Sequence, residues 1–287
     1  MPELPEIEIV KRSLFKMINK ARIVGIKINN KDLRYKVSHT SLKKLINKKI
    51  LRISRRSKYL IFHFKDKLLL VHLGMSGKLL IKRKKNNMII KTSFYYDLNI
   101  LPQHNHIHFI LSNGCTLIYN DIRRFGFFLI FENTKFNKIV FLKKLGPEPF
   151  SNMFNIKYFK KFVKTRKKNI KNLLMDQTFV SGLGNIYVNE ALFLSKIHPL
   201  TQCNSLENKS MKNLIFNIKK ILKISINRGG SSIKDFKNIH GASGSFQDLF
   251  NVYGRENKNC SRISCNGKIK KISISNRSSF YCTSCQY

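Results

Sequence analysis

Met1-Pro2-Glu3-Leu4-Pro5-Glu6 opens the sequence. Removal of Met1 leaves Pro2 with a free secondary amine. An α-amino group titrates near pH ~8, so a useful fraction is unprotonated at neutral pH, and its condensation with an aldehyde carbon gives a cationic iminium that withdraws electrons. Glu3 sets a carboxylate beside that amine. Glu3 and Glu6 also favour the start of a helix, and Ile7, Val10, Leu14 and Ile18 recur at helical spacing. An amphipathic helix is therefore predicted from Glu3 to about Asn19, its first residues carrying the reactive groups. On these six residues alone an ordinary helix start is the better reading, and the remainder of the chain reverses that order.

The 287 residues, 43% of them hydrophobic, suffice for buried cores in two domains. With 55 basic against 15 acidic residues the formal charge is +40, which fits a polyanionic partner: nucleic acid first, an anionic membrane surface second. Lys far outnumbers Arg, and Ile and Asn are abundant, as AT-rich coding produces, so the sign of the charge carries more than its size. No apolar run reaches the roughly 18 residues of a membrane span, and the N-terminus is acidic rather than signal-like. A cytosolic protein without a membrane partner is expected.

From Arg22 to Glu132 short β-branched and aromatic runs alternate with turn residues, the pattern of a β-sandwich. Within it, Arg55-Arg56-Ser57-Lys58-Tyr59 opens an apolar strand with three cations. His72-Leu73-Gly74-Met75-Ser76-Gly77-Lys78 places a flexible apolar side chain between two glycines, a loop tip able to wedge into a stack of bases. His104, His106 and His108 alternate as they would on one strand face, where phosphate contact is a better use than metal ligation. Tyr119-Asn120-Asp121-Ile122-Arg123-Arg124-Phe125-Gly126 offers Arg123 to hydrogen-bond an exposed base and Phe125 to fill a gap, although a salt bridge from Asp121 closing a hairpin uses the same residues.

Leu145-Gly146-Pro147-Glu148-Pro149 excludes regular structure and marks a boundary. Helical patterns follow. Arg166-Lys167-Lys168 precedes Ile170 to Met175, and Gly182 and Gly184 allow a tight approach to a helix beginning at Asn185, expected as its N-cap and as part of a phosphate clamp. A further helix runs from Leu206 to Asn227, before a glycine-containing stretch to Phe246. In a cytosolic chain Cys260, Cys265, Cys282 and Cys285 read as metal ligands before disulfides. The Cys260-x4-Cys265 and Cys282-x2-Cys285 pairs lie within the spacing of zinc ligands, with room between them for a β-hairpin, which predicts one structural Zn and leaves Cys115 and Cys203 as free thiols.

Taken together, Pro2 to Glu6, Lys58 in its Arg-Arg-Ser-Lys-Tyr context, His72 to Gly77, Asp121 to Gly126, Gly182 to Tyr187, Val252-Tyr253-Gly254-Arg255 and the terminal cysteines make a chain that resembles the formamidopyrimidine-DNA glycosylase family over nearly its full length. The resemblance implies an α+β protein: an N-terminal catalytic β-sandwich with an N-terminal helix (1–145), a helical helix-two-turn-helix DNA-binding domain (146–250) and a zinc-finger hairpin (251–287). It implies a monomeric base-excision repair enzyme that removes oxidised purines, 8-oxoguanine and formamidopyrimidines, from damaged double-stranded DNA and cuts the abasic site by β,δ-elimination. Pro2 is then the Schiff-base nucleophile, Glu3 the general acid, Lys58 the proton donor for β-elimination and Arg277 that for δ-elimination. His104, Arg123 and Lys167 fall at DNA contacts, Asn185 at the phosphate clamp, and Met75, Arg123 and Phe125 fill the hole left by the flipped nucleotide.

Three positions depart from the family pattern. Ile122 replaces a Pro and is expected to loosen its turn, Ser245 stands where many relatives carry a Tyr near the base-capture loop, and Cys260-x4-Cys265 has two extra intervening residues. Two other classes compete. An endonuclease VIII-like glycosylase for oxidised pyrimidines shares the N-terminal proline but usually has Gly where this chain has Leu4. A non-catalytic DNA-binding zinc-finger protein leaves Pro2, Glu3 and Lys58 free to drift, and all three are intact.

Overall fold

The structure is a computed structural model that describes residues 1–84, 89–91, 100–164, 166–231 and 246–287. The chain divides into two compact units, one formed by 1–143 with 226–247 and the other by 144–225 with 248–287.

In the first unit, helix α1 (Leu4–Ile18) starts directly after Glu3, whose backbone is extended (φ −101°, ψ −172°). Glu6 reaches back to accept the Glu3 N–H at 2.9 Å, which satisfies one of the donors that a helix start leaves without an intrahelical partner. The apolar stripe read from the sequence is the buried face: Leu4, Ile7, Val10, Leu14 and Ile18 are at most 1% exposed. Short helices α2 (His39–Lys43) and α3 (Val140–Lys143) accompany nine strands: β1 (Ile23–Ile28), β2 (Arg52–Arg56), β3 (Tyr59–His63), β4 (Lys67–His72), β5 (Lys78–Arg83), β6 (Ile89–Lys91), β7 (Asn105–Leu111), β8 (Cys115–Asn120) and β9 (Phe127–Glu132). They form two antiparallel sheets, ordered β1-β7-β8-β5-β6 and β2-β3-β4-β9. Ile53, Leu60, Phe62, Leu69 and Val71 from one sheet and Leu79, Ile81, Ile107, Phe109 and Tyr119 from the other share one core with α1. At roughly 1.5–3 kcal/mol for each large apolar side chain buried, that shared face is what fixes the strand registers.

The second unit holds α4 (Ile156–Val163), α5 (Ile170–Met175), α6 (Asn185–Leu194), α7 (Asn208–Asn227, which runs to the edge of the unit) and the hairpin β10 (Ile269–Ile274) with β11 (Arg277–Cys282). Residues Ile186 to Phe193 of α6 are all buried, so this helix is a central post rather than a surface element. Its Glu190 is fully buried yet ionisable, and it is used as an anchor. The carboxylate accepts the N–H groups of Asn251 (2.9 Å), Val252 (3.0 Å) and Tyr253 (2.9 Å) and the Asn251 side-chain amide (3.0 Å). Four donors offset the cost of burying the charge and tie the Val252-Tyr253-Gly254-Arg255 segment to α6. The expected α+β architecture is borne out. The described residues include no helix long and apolar enough to cross a membrane.

Two local expectations are corrected. Gly184, not Asn185, is the N-cap of α6, because the Asn185 side chain turns to the hairpin and donates to the Ser278 carbonyl at 2.9 Å. The three histidines do not line one strand face. His104 ends a short 3₁₀ turn, and a register shift between Asn105 and Ile107 buries His106, whose Nε2 bonds the Asp121 carbonyl at 2.7 Å, while His108 stays half-buried.

Candidate active site and nucleic-acid contacts

Pro2 and Glu3 are both buried at the head of α1. Glu6 fixes their surroundings. One of its oxygens holds the Glu3 N–H, and the other accepts both the N–H and the hydroxyl of Ser231 at 3.0 Å each. The residue beginning the glycine-containing stretch is thereby tied to the turn that carries Pro2. Ser245 lies outside the described residues, as does the segment 232–245 that contains it.

Lys58 follows Ser57 in the tight turn between β2 and β3 and is buried at 6% exposure. On the adjacent strand, Tyr59 pairs with His72. Burial pushes the His72 imidazole down to about 4, with the charges of Lys58 and Arg34 adding to the effect. It is therefore neutral at physiological pH. Its Nδ1 accepts the Gly74 N–H at 3.1 Å, which leaves the proton on Nε2. The sequence motif gives His72 no role of its own; its proximity to Lys58 follows only from strand pairing.

The Met75 loop and the Arg123–Phe125 loop are organised by one buried carboxylate. Asp121, fully buried, accepts from the Ser76 and Tyr119 hydroxyls and from the N–H groups of Arg123 (3.2 Å) and Gly126 (3.1 Å). Its own N–H bonds the His104 carbonyl at 3.1 Å, placing that histidine beside the same turn. Asp121 thus makes neither the salt bridge that the sequence allows nor a loose turn. The turn is pinned without a proline at Ile122. Close backbone approach completes the arrangement: Gly74 is left-handed (φ +68°), and a Cβ there would lie 2.6 Å from the Gly126 nitrogen. The tips remain outside, with Met75 41% and Phe125 42% exposed, and the Arg123 guanidinium lies 4.7 Å from the Phe125 ring centre. Two apolar tips and a cation on one rigid platform can enter a base stack and hydrogen-bond what they find there.

In the second unit Lys167 is exposed. Asn185 and Lys171 converge on the Ser278 carbonyl, at 2.9 and 3.0 Å, and Lys171 also donates to the Ser279 hydroxyl. Burial pushes the Lys171 ammonium down to about 8, with the neighbouring Arg277 charge contributing. Arg277, exposed at the start of β11, is therefore presented by a turn fastened to α5 and α6. Lys171 carries no motif of its own and is legible in the sequence only as one more lysine.

The Sγ atoms of Cys260, Cys265, Cys282 and Cys285 all lie within 4.8 Å of one another, with Cys260–Cys285 at 3.9 Å and Cys265–Cys282 at 3.6 Å. One tetrahedral ion with metal–sulfur bonds of about 2.3 Å sets its ligands about 3.8 Å apart, so the four thiols fit a single metal. The longer first knuckle does not prevent this. Cys115 and Cys203 are buried elsewhere as free thiols, Cys203 donating to the Lys168 carbonyl at 2.7 Å.

Comparison with known proteins agrees with this geometry. Residues 1–128 match the model of the formamidopyrimidine-DNA glycosylase N-terminal domain, and residues 145–237 match that of the formamidopyrimidine-DNA glycosylase H2TH domain. The formamidopyrimidine-DNA glycosylases of Bartonella tribocorum and Rickettsia conorii are each 41% identical to the chain, with all of both chains covered. Among solved structures, the complex between the Lactococcus lactis Fpg and an abasic site containing DNA is 36% identical, covers 99% of both chains and superimposes with a TM-score of 0.85. A complex of the wild-type Lactococcus lactis Fpg with a N7-Benzyl-Fapy-dG containing DNA gives 0.86 at the same identity and coverage. With both domain models matched and its curated relatives aligned end to end, the chain belongs to the formamidopyrimidine-DNA glycosylase family.

Proposed function

We propose that the protein excises oxidised purines from double-stranded DNA and then cuts the strand at the abasic site through a Schiff base on Pro2. The observation that carries this reading is the Pro2-Glu3 pair at the head of α1, held by Glu6, in a chain whose relatives, aligned end to end, are glycosylases. Once Met1 is removed, the neutral Pro2 nitrogen attacks the glycosidic carbon, the base departs with the electrons of its bond, and the proton left on the Pro2 nitrogen passes to the departing base. Glu3 gives a proton to the ring oxygen as the sugar opens to the iminium. The iminium acidifies the adjacent C–H; loss of that proton expels one phosphate, and a second elimination expels the other, with Lys58 and Arg277 supplying protons and offsetting phosphate charge. A one-nucleotide gap results.

A base must leave the duplex before its glycosidic carbon can be reached. Met75, Arg123 and Phe125 support that step as the platform that fills the vacated space, while His104, Lys167 and Asn185 contact the backbone. Cys260, Cys265, Cys282 and Cys285 hold one Zn, which when bound supplies structural support to the hairpin that carries Arg277.

Duplexes bearing 8-oxoguanine, an oxidised pyrimidine or a bare abasic site test the proposal in parallel. Release of 8-oxoguanine with strand cleavage, and a borohydride-trapped adduct mapping to Pro2, are expected. Preference for the oxidised pyrimidine would overturn the purine assignment, and binding without cleavage of any duplex would overturn the enzyme. Intact mass of the active protein should lack Met1.

A further inference from the structure

Lys58 sits in a two-residue turn whose geometry is unfavourable by itself. Ser57 precedes it with φ +55°, the left-handed region that a residue with a side chain enters at a cost, and Ser57 is buried at 1% exposure. Something must hold that turn. The Arg55 guanidinium reaches over it, donating from Nη1 to the Ser57 carbonyl at 3.0 Å and from Nε to Glu8 Oε2 at 3.1 Å. Glu8 belongs to α1, one turn beyond the residues that carry the reactive amine. Its second oxygen is occupied by Lys11 (2.7 Å) and Arg12 (3.0 Å). The Arg55 and Glu8 side chains are each 11% exposed, so this pair is sheltered in a way that ordinary surface pairs are not. Burial works to raise the Glu8 carboxyl, but hydrogen bonds and charges from Lys11 and Arg55 overcome it, and the group titrates below the ordinary carboxylate range.

We infer that Arg55, anchored by Glu8, is a positioning residue for Lys58: it bridges α1 to the Ser57 carbonyl and so fixes the direction in which the lysine leaves its turn relative to the head of α1. The inference rests on the proposed role of Lys58. Two arms of a planar guanidinium are required, one for the carboxylate and one for the carbonyl, and an ammonium on a flexible stem does not supply that fork.

Arg55→Lys keeps the charge and loses the bridge. Single-turnover cleavage of an 8-oxoguanine duplex should slow about tenfold, while the dissociation constant and its salt dependence change less than twofold and the thermal midpoint holds. Glycine adopts a left-handed φ freely, so adding Ser57→Gly to Arg55→Lys should restore at least a third of the lost rate. A merely structural arginine would lower the thermal midpoint together with every rate and would gain nothing from the glycine; that outcome overturns the inference. Loss of affinity at unchanged single-turnover rate would make Arg55 a phosphate contact instead and overturns it equally. Lys58→Ala in the same assay separates the two layers. If wild type cleaves and Lys58→Ala does not, but Arg55→Lys matches wild type, the clamp is wrong and the role of Lys58 stands; if Lys58→Ala matches wild type, that role falls and the clamp with it.

Discussion

At the scale of single residues, buried polar groups set the functional loops. Asp121 takes four donors, and an amide in its place has one oxygen and two donors of its own. Asp121→Asn is expected to strand at least two partners and cost about 2–4 kcal/mol, read from chemical denaturation, with excision falling further than affinity because Met75, Arg123 and Phe125 lose their common base. The histidines give a second test. Burial pushes His63 and His72 down to about 4, helped by Arg52 in the first case and by Lys58 and Arg34 in the second. A folded-state value below the unfolded one of ~6.5 means that the unfolded chain binds more protons between those limits. Stability therefore rises with pH through the window and is lost as pH falls from about 6.5 towards 4. Stability of His72→Gln should decline less steeply across that range, by up to about 1.4 kcal/mol per pH unit. An unchanged slope would show that the imidazole protonates freely in the fold.

At the scale of elements, the start of α6 and the turn before β11 act together. Asn185 and Lys171 both hold the Ser278 carbonyl, and the adjacent Arg277 is placed by that grip. Asn185→Ala removes no charge. It should weaken duplex binding about tenfold, roughly one to two hydrogen bonds' worth, and leave the slope of log K against log salt unchanged. Lys167→Ala should instead reduce that slope by about 0.9, as follows when one fewer phosphate is neutralised. A changed slope in Asn185→Ala would show that the helix start acts through the cations around it rather than through its own amide.

Across both units, the proposed zinc is tested at the hairpin, where four cysteines could hold one metal ion. The hairpin's apolar support is small: Val252, Ile269, Phe280 and Cys282 pack with Phe193 of α6. Structural zinc supplies roughly 10–16 kcal/mol in isolated finger peptides, comparable with or above the roughly 6–12 kcal/mol that four large buried apolar side chains provide. Chelation, or Cys260→Ser, is therefore expected to unfold 251–287 first. Zinc content should fall below one per chain, and δ-elimination through Arg277 should be lost while Pro2 still forms a borohydride-trapped adduct with an abasic duplex. Full zinc and full δ-elimination in Cys260→Ser would show that another group closes the site.

Features that depend on residue type and short-range spacing are legible before folding. The stripe on α1, the alternating strand runs, the Cys pairs and the Pro2-Glu3 dipeptide each carry their chemistry within a few residues, because helix and strand periodicities and metal-ligand spacing are local properties. Features that depend on partners far apart in the chain emerge with the packed fold. Asp121 is two residues from Arg123 but 45 from Ser76; Glu6 meets Ser231 across 225 positions and Arg55 meets Glu8 across 47. For the same reason Asn185 reads as an N-cap in the sequence although Ser278 claims its amide, and His106 reads as a phosphate contact on one strand face with His104 and His108 although it is buried beside a register shift. A side chain with two possible partners chooses the one that burial leaves without water, and that choice is made by packing rather than by spacing.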